Sequence, residues 1–224
     1  MKTKIYIFLT IFFLLIILII TRINAYKPYS AWKKLEEKTT PKIIMFLGDS
    51  ITQGGDFKSY FDDLLVVNKG KGGDKASKIT NRLEKNVYPY NPNKIFLLIG
   101  INDIKDKKTD NKTIATNIDN IIKEIKKHCP NTTIYLESIY PINNTNNKKI
   151  DHNYFKYCNN DDVIKVNKEI KEIAKNNNIK YIDIHSILKD ENNNLKLSLT
   201  KEGLHLNKDG YKVVFDSLKE YVYE

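Results

Sequence analysis

The stretch Lys42-Ile43-Ile44-Met45-Phe46-Leu47, followed by Gly48-Asp49-Ser50-Ile51, decides how this chain is read. A short run apolar on both faces suits a strand buried in a parallel sheet. A Gly-Asp-Ser-Ile turn at the carboxyl end of such a strand is where a nucleophilic hydroxyl can be displayed. Taken alone, Asp-Ser after a strand is equally a helix cap.

Runs of the same kind recur at Leu65 to Asn68, Lys94 to Ile99, Thr133 to Glu137 and Ile179 to Ile184, rich in β-branched or aromatic residues. Between them, Ile114, Ile118, Ile121, Ile122 and Ile125 repeat at helical spacing until Pro130. Val163, Val166, Ile170 and Ile173 mark another helix, and Tyr211, Val214, Phe215, Leu218 and Val222 a last one. Strands alternating with helices predict a three-layer α/β fold, with the active site at the carboxyl ends of the strands. Residues 143–160 are polar, asparagine-rich and irregular, and read as a surface insertion beside the fourth strand.

With 224 residues and 41% hydrophobic content, the chain is long enough for one α/β domain and short for two. Lys2 and Lys4 precede an uncharged run from Ile5 to Thr21, which would span about 26 Å as a helix. Residues 1–25 are therefore expected to be a signal peptide or a membrane anchor, residues 26–41 a linker, and residues 42–224 the catalytic domain. That arrangement predicts a membrane contact through the N-terminal segment and a domain working outside the cytoplasm, anchored or secreted. Protease accessibility of the domain on intact cells tests this, and protection of the domain counts against it.

The net charge of +10 is spread as lysine along the whole chain, without a basic block interleaved with aromatics. Compositional bias explains it better than a nucleic-acid partner does. Cys129 and Cys158 could pair in an oxidising compartment, yet two isolated thiols do not establish a bridge. No metal-ligand spacing joins them to a histidine.

A serine nucleophile needs a base. Among His128, His152, His185 and His205, the last is preferred because Glu202 lies three residues before it and can reach its Nδ1 across a turn. His185, just past a strand, is the runner-up. Donors for an oxyanion are sought in the turn Asn68-Lys69-Gly70-Lys71-Gly72-Gly73-Asp74, in the amide of Asn102 within Gly100-Ile101-Asn102-Asp103, and in the N–H of Ser50. A phosphate cradle is the rival reading of the glycine turn. It is set aside because Lys75-Ala76-Ser77 lacks the Gly-Lys-Ser/Thr ending.

These blocks, with Leu98-Ile99-Gly100-Ile101-Asn102-Asp103 and Leu204-His205-Leu206-Asn207-Lys208-Asp209-Gly210-Tyr211, resemble the GDSL family, also called SGNH hydrolases, over roughly residues 42–220. The four residues of the family name fall on Ser50, Gly73, Asn102 and His205. The resemblance implies a flavodoxin-like α/β/α sandwich with a five-stranded parallel sheet in the order 2-1-3-4-5. It also implies a metal-free, cofactor-free serine esterase mechanism through an acyl-enzyme, with Ser50, His205 and Glu202 catalytic and Ser50, Gly73 and Asn102 forming the oxyanion hole. Glu202 departs from the aspartate usual in the family, which leaves either a longer arm to Nδ1 or orientation of His205 by a backbone carbonyl. The expected substrate is a small acyl ester, first an acetyl group on carbohydrate. Lysophospholipase or thioesterase activity on longer chains and a non-catalytic glycan-binding domain are the alternatives. Substrate identity and oligomeric state stay open.

Overall fold

Five parallel strands assemble in the order β2-β1-β3-β4-β5, the order that the resemblance implied. They are β1 (Ile43–Gly48), β2 (Leu65–Gly70), β3 (Lys94–Leu98), β4 (Thr133–Glu137) and β5 (Lys180–Ile182). The computed structural model describes residues 41–106 and 109–224, together with Phe12, Leu15, Ile16, Leu18, Ile19, Thr21 and Arg22. The chain divides into two units, Met1–Pro41 and Lys42–Glu224. The anchor, signal and linker expectations for residues 1–41 fall almost wholly outside the described residues. Among the described residues, no helix is long and apolar enough to cross a membrane.

The sheet is flanked by α1 (Ser50–Gln53), α2 (Phe57–Tyr60), α3 (Ala76–Thr80), α4 (Leu83–Asn86), α5 (Ile101–Lys105), α6 (Asn111–His128), α7 (Asn160–Asn176), α8 (Ile184–Leu188) and α9 (Lys208–Tyr223). From β1 the chain steps outward to β2, then returns across β1 to β3 and continues to β4 and β5. Crossovers in opposite directions put helices on both faces, and folds of this kind place their ligand site where the direction reverses, here beyond the ends of β1 and β3.

One face carries a row of rings in register: Phe46 pairs with Phe96, and Phe96 with Tyr135. Phe46 stacks on Phe96 at 5.0 Å and on Phe57 of α2 at 3.8 Å, while Phe215 of α9 lies 4.8 Å from Phe57. Burying rings of this size supplies a large share of the hydrophobic stabilisation. The alternating residues Met45, Leu47, Ile95, Leu97, Ile134 and Leu136 are equally buried, as strand periodicity requires. The isoleucine stripe of α6, from Ile114 to Ile125, is wholly buried. Its N-cap Asp110 accepts the Thr113 N–H at 2.9 Å, satisfying a donor that the first helical turn leaves open.

Two expectations are corrected. The fifth strand stops at Ile182 rather than Ile184, because Asp183 caps α8, accepting the N–H of Ser186 at 3.1 Å and its hydroxyl at 2.7 Å. The asparagine-rich segment 143–160 is no mere surface insertion, since Asn143, Ile150, Phe155 and Cys158 are buried. Asn143 tolerates burial because its amide donates to Leu195 O at 2.6 Å and its oxygen accepts from the Thr145 hydroxyl at 2.6 Å. Within the segment, His152–Phe155 forms a short 3-10 turn. Cys129 and Cys158 are both free thiols in the interior.

Candidate active site

Ser50 begins α1 directly beyond β1. The cap is Asp49, whose Oδ1 accepts the Ile51 N–H at 2.9 Å, so the Ser50 hydroxyl is spared that duty. That hydroxyl meets His205 Nε2 at 2.9 Å. On the other side of the imidazole, Glu202 Oε1 lies 2.5 Å from Nδ1 and accepts the His205 backbone N–H at 2.9 Å. One glutamate oxygen thus fixes both the ring and the main chain of the histidine. Of the two ways left open for orienting His205, the structure has the carboxylate arm.

The turn that makes this possible runs through Gly203, whose φ of +108° is costly for an L side chain. A Cβ there would come within 2.7 Å of Phe155 Cε1 and 3.0 Å of Asn143 O. The 143–160 segment therefore packs directly on the Glu202–His205 turn. It is tied there by Asn143 N–H to Gly203 O at 2.7 Å and by Asp151 N–H to Glu202 O at 2.9 Å.

The glycine turn after β2 lies against the serine: a Cβ on Gly72 would stand 3.9 Å from Ser50 Cβ. Gly72 N–H donates to Gln53 Oε1 at 2.8 Å, binding the turn to α1. Gly73 adopts φ +74°, and nothing lies within 4 Å of where its Cβ would be, so its glycine character serves backbone conformation and open space rather than packing. Asn102, in the first turn of α5, donates from Nδ2 to Asp74 O at 3.0 Å. That bond sets which end of the amide carries hydrogens, and one of them is left for another acceptor.

Several supports were not singled out in the sequence. The Arg82 guanidinium donates to Gly48 O at 3.1 Å, Lys69 O at 2.8 Å and Asp74 Oδ2 at 2.7 Å, joining the ends of β1 and β2 to the glycine turn. Asp103 Oδ2 accepts the Ala76 N–H at 3.0 Å, and Lys75 pairs with Asp106. The Tyr211 hydroxyl donates to Ile51 O at 2.7 Å. No periodicity marks a lone arginine for such a task. His185, the runner-up base, is instead buried in α8, where its backbone N–H donates to Ser138 Oγ at 2.7 Å.

Asp49 is buried, and among the described residues its Oδ2 meets no hydrogen-bond partner. Burial raises its carboxyl to about 7, against the opposing pull of the Ile51 N–H and Lys105. Burial likewise raises Asp103 to about 6 and Glu137 to about 7. A carboxyl that holds its proton more tightly folded than unfolded stabilises the fold fully below its unfolded value, near 3.8 for aspartate. That contribution is lost as the pH rises through the folded values. The thermal midpoint of the domain is therefore expected to decline between about pH 4 and about pH 7. Asp49→Asn keeps an oxygen for the Ile51 N–H and should flatten the decline; an unchanged slope in calorimetry of the variant counts against the assignment.

A search of curated protein sequences gave no match, but solved structures do match. A protein from Streptococcus pneumonia, provisionally described as a platelet activating factor, is 27% identical, with 89% of this chain and 98% of that one covered and a TM-score of 0.75. The acetyl xylan esterase AlAXEase is 26% identical over 80% of this chain and 99% of its own, with a TM-score of 0.64. A GDSL-like lipase from Bacteroides thetaiotaomicron, 19% identical over 87% of this chain and 97% of its own, shares the fold at a TM-score of 0.70. The sequence pattern of GDSL-like lipases and acylhydrolases matches residues 46–213, which takes in the serine, the glycine turn, Asn102 and His205. The chain belongs to the GDSL-like lipase/acylhydrolase family.

Proposed function

We propose that the protein is a serine esterase that hydrolyses small acyl esters, chiefly acetyl, carried on carbohydrate. The observation that carries this reading is the unbroken hydrogen-bonded line from Ser50 Oγ through His205 to Glu202. The likeness to an acetyl xylan esterase at 26% identity supports the choice of acyl group and alcohol.

In this reading His205 Nε2 takes the serine proton as Ser50 Oγ attacks the ester carbonyl. The N–H groups of Ser50 and Gly73 and the remaining Asn102 amide hydrogen receive the oxyanion. Collapse of the tetrahedral species expels the alcohol, which leaves with the proton from His205. Water, deprotonated by the same imidazole, then attacks the acyl-enzyme and releases the acid. Glu202 holds the ring and offsets the positive charge that the imidazole acquires.

A series of esters from acetyl to palmitoyl tests the acyl preference. kcat/KM is expected to be highest at acetyl and to fall with chain length; a maximum at long chains overturns the small-acyl reading in favour of a lysophospholipase or thioesterase. Asn102→Ala should lower kcat by about 100- to 1,000-fold, or roughly 3 to 4 kcal/mol, with a small change in KM. Loss confined to KM would mean that Asn102 binds substrate without meeting the oxyanion.

A further inference from the structure

Tyr154 and His205 pack in a T-shaped pair, with ring centroids 5.5 Å apart and planes at 90°. Tyr154 is 46% exposed. Its segment is held by Phe155, the next residue, and by Asp151, three positions before it. Phe155 is buried against the Gly203 turn, and Asp151 hands its N–H to Glu202 O at 2.9 Å. Tyr154 is thus carried by the same local unit as the histidine it faces, while half of its surface is left for something else.

We infer that Tyr154 is a specificity-determining residue that packs against the sugar ring of the leaving alcohol. The inference rests on the esterase reading above and names the part of the substrate that this side of the cleft takes. His205 Nε2 must protonate the departing oxygen, so that oxygen lies within hydrogen-bond reach of the imidazole. Atoms attached to it then run along the His205 wall, which Tyr154 extends. The acyl carbon is bonded to Ser50 Oγ, and its oxygen points toward Gly73 and Asn102, away from that wall. A phenol presents an electron-rich face to the C–H groups of a pyranose and a hydroxyl to its polar rim. Ethanol as the leaving alcohol is too short to use either.

The test compares the full chain with its Tyr154→Ala and Tyr154→Phe variants on ethyl acetate, acetylated xylo-oligosaccharide and ethyl decanoate. Calorimetry of acetylated xylo-oligosaccharide binding to Ser50→Ala protein, with and without Tyr154→Ala, gives a second readout. Tyr154→Ala is expected to lower the kcat/KM ratio of oligosaccharide to ethyl acetate by about tenfold, chiefly through KM, and to weaken binding comparably, with Tyr154→Phe recovering most of it. Equal loss on both acetyl esters would make Tyr154 a prop for His205 and overturn the inference, as would an unchanged ratio or an effect that follows the decanoyl chain. If the wild-type chain turns over none of the esters, the esterase reading fails, and the calorimetry decides: affinity that depends on Tyr154 supports the sugar contact, while absent or Tyr154-independent affinity overturns it.

Discussion

Replacement of Ser50 by alanine is expected to lower turnover of an acetyl ester by roughly 10⁴- to 10⁶-fold, and adding His205→Ala to the same protein should cost little more. The two side chains share one 2.9 Å hydrogen bond and one proton, so removing either removes the step. The fold should survive the change. Asp49, rather than Ser50, caps α1, and the hydroxyl contributes no bond to the backbone of the helix start. An unfolding transition superimposable on wild type, together with lost labelling by a fluorophosphonate probe, separates chemistry from stability. Full activity of Ser50→Ala would sink the assignment of the nucleophile.

Glu202→Gln should be nearly as damaging, at about 10³- to 10⁴-fold in kcat. The amide oxygen can still accept the His205 main-chain N–H, so the turn keeps its shape. It cannot supply the charge that opposes a protonated imidazole. An amide NH₂ turned toward Nδ1 would favour the tautomer whose Nε2 carries a hydrogen and cannot accept from serine. Glu202→Asp, still a carboxylate but one methylene shorter, is expected to lose far less. Activity of Glu202→Gln within about threefold of wild type would show that the backbone alone orients the histidine.

Much of the architecture could be read from the residues because the inner strands are apolar on both faces: Ile44 to Leu47, Ile95 to Leu98 and Ile134 to Leu136 are all buried, as uninterrupted runs between parallel neighbours should be. The edge was harder. Ile182 and Ile184 are both buried, so hydrophobicity alone continues the strand, whereas the capping bond from Asp183 ends it. Ser50, Glu202 and His205 were legible from a serine placed after a strand and a glutamate three residues before a histidine, and their side chains lie within hydrogen-bonding reach. Arg82 and Tyr154 carried no such mark. Their partners are carbonyls, the Asp74 carboxylate and a ring brought near by tertiary folding, and Gly48 O stands 34 positions from the arginine that binds it. The buried Asn143 misled for a related reason: an amide with both ends satisfied costs little in the interior, yet composition reads it as solvent-facing.

The way residues 143–160 clasp the Glu202–Gly203 corner has an evolutionary corollary. On the esterase reading, a lineage that rewrote this segment to accept a new alcohol would also disturb the turn that holds His205. Selectivity and speed would thereby be yoked, and adaptation to a new ester should proceed through paired replacements on both sides of that clasp.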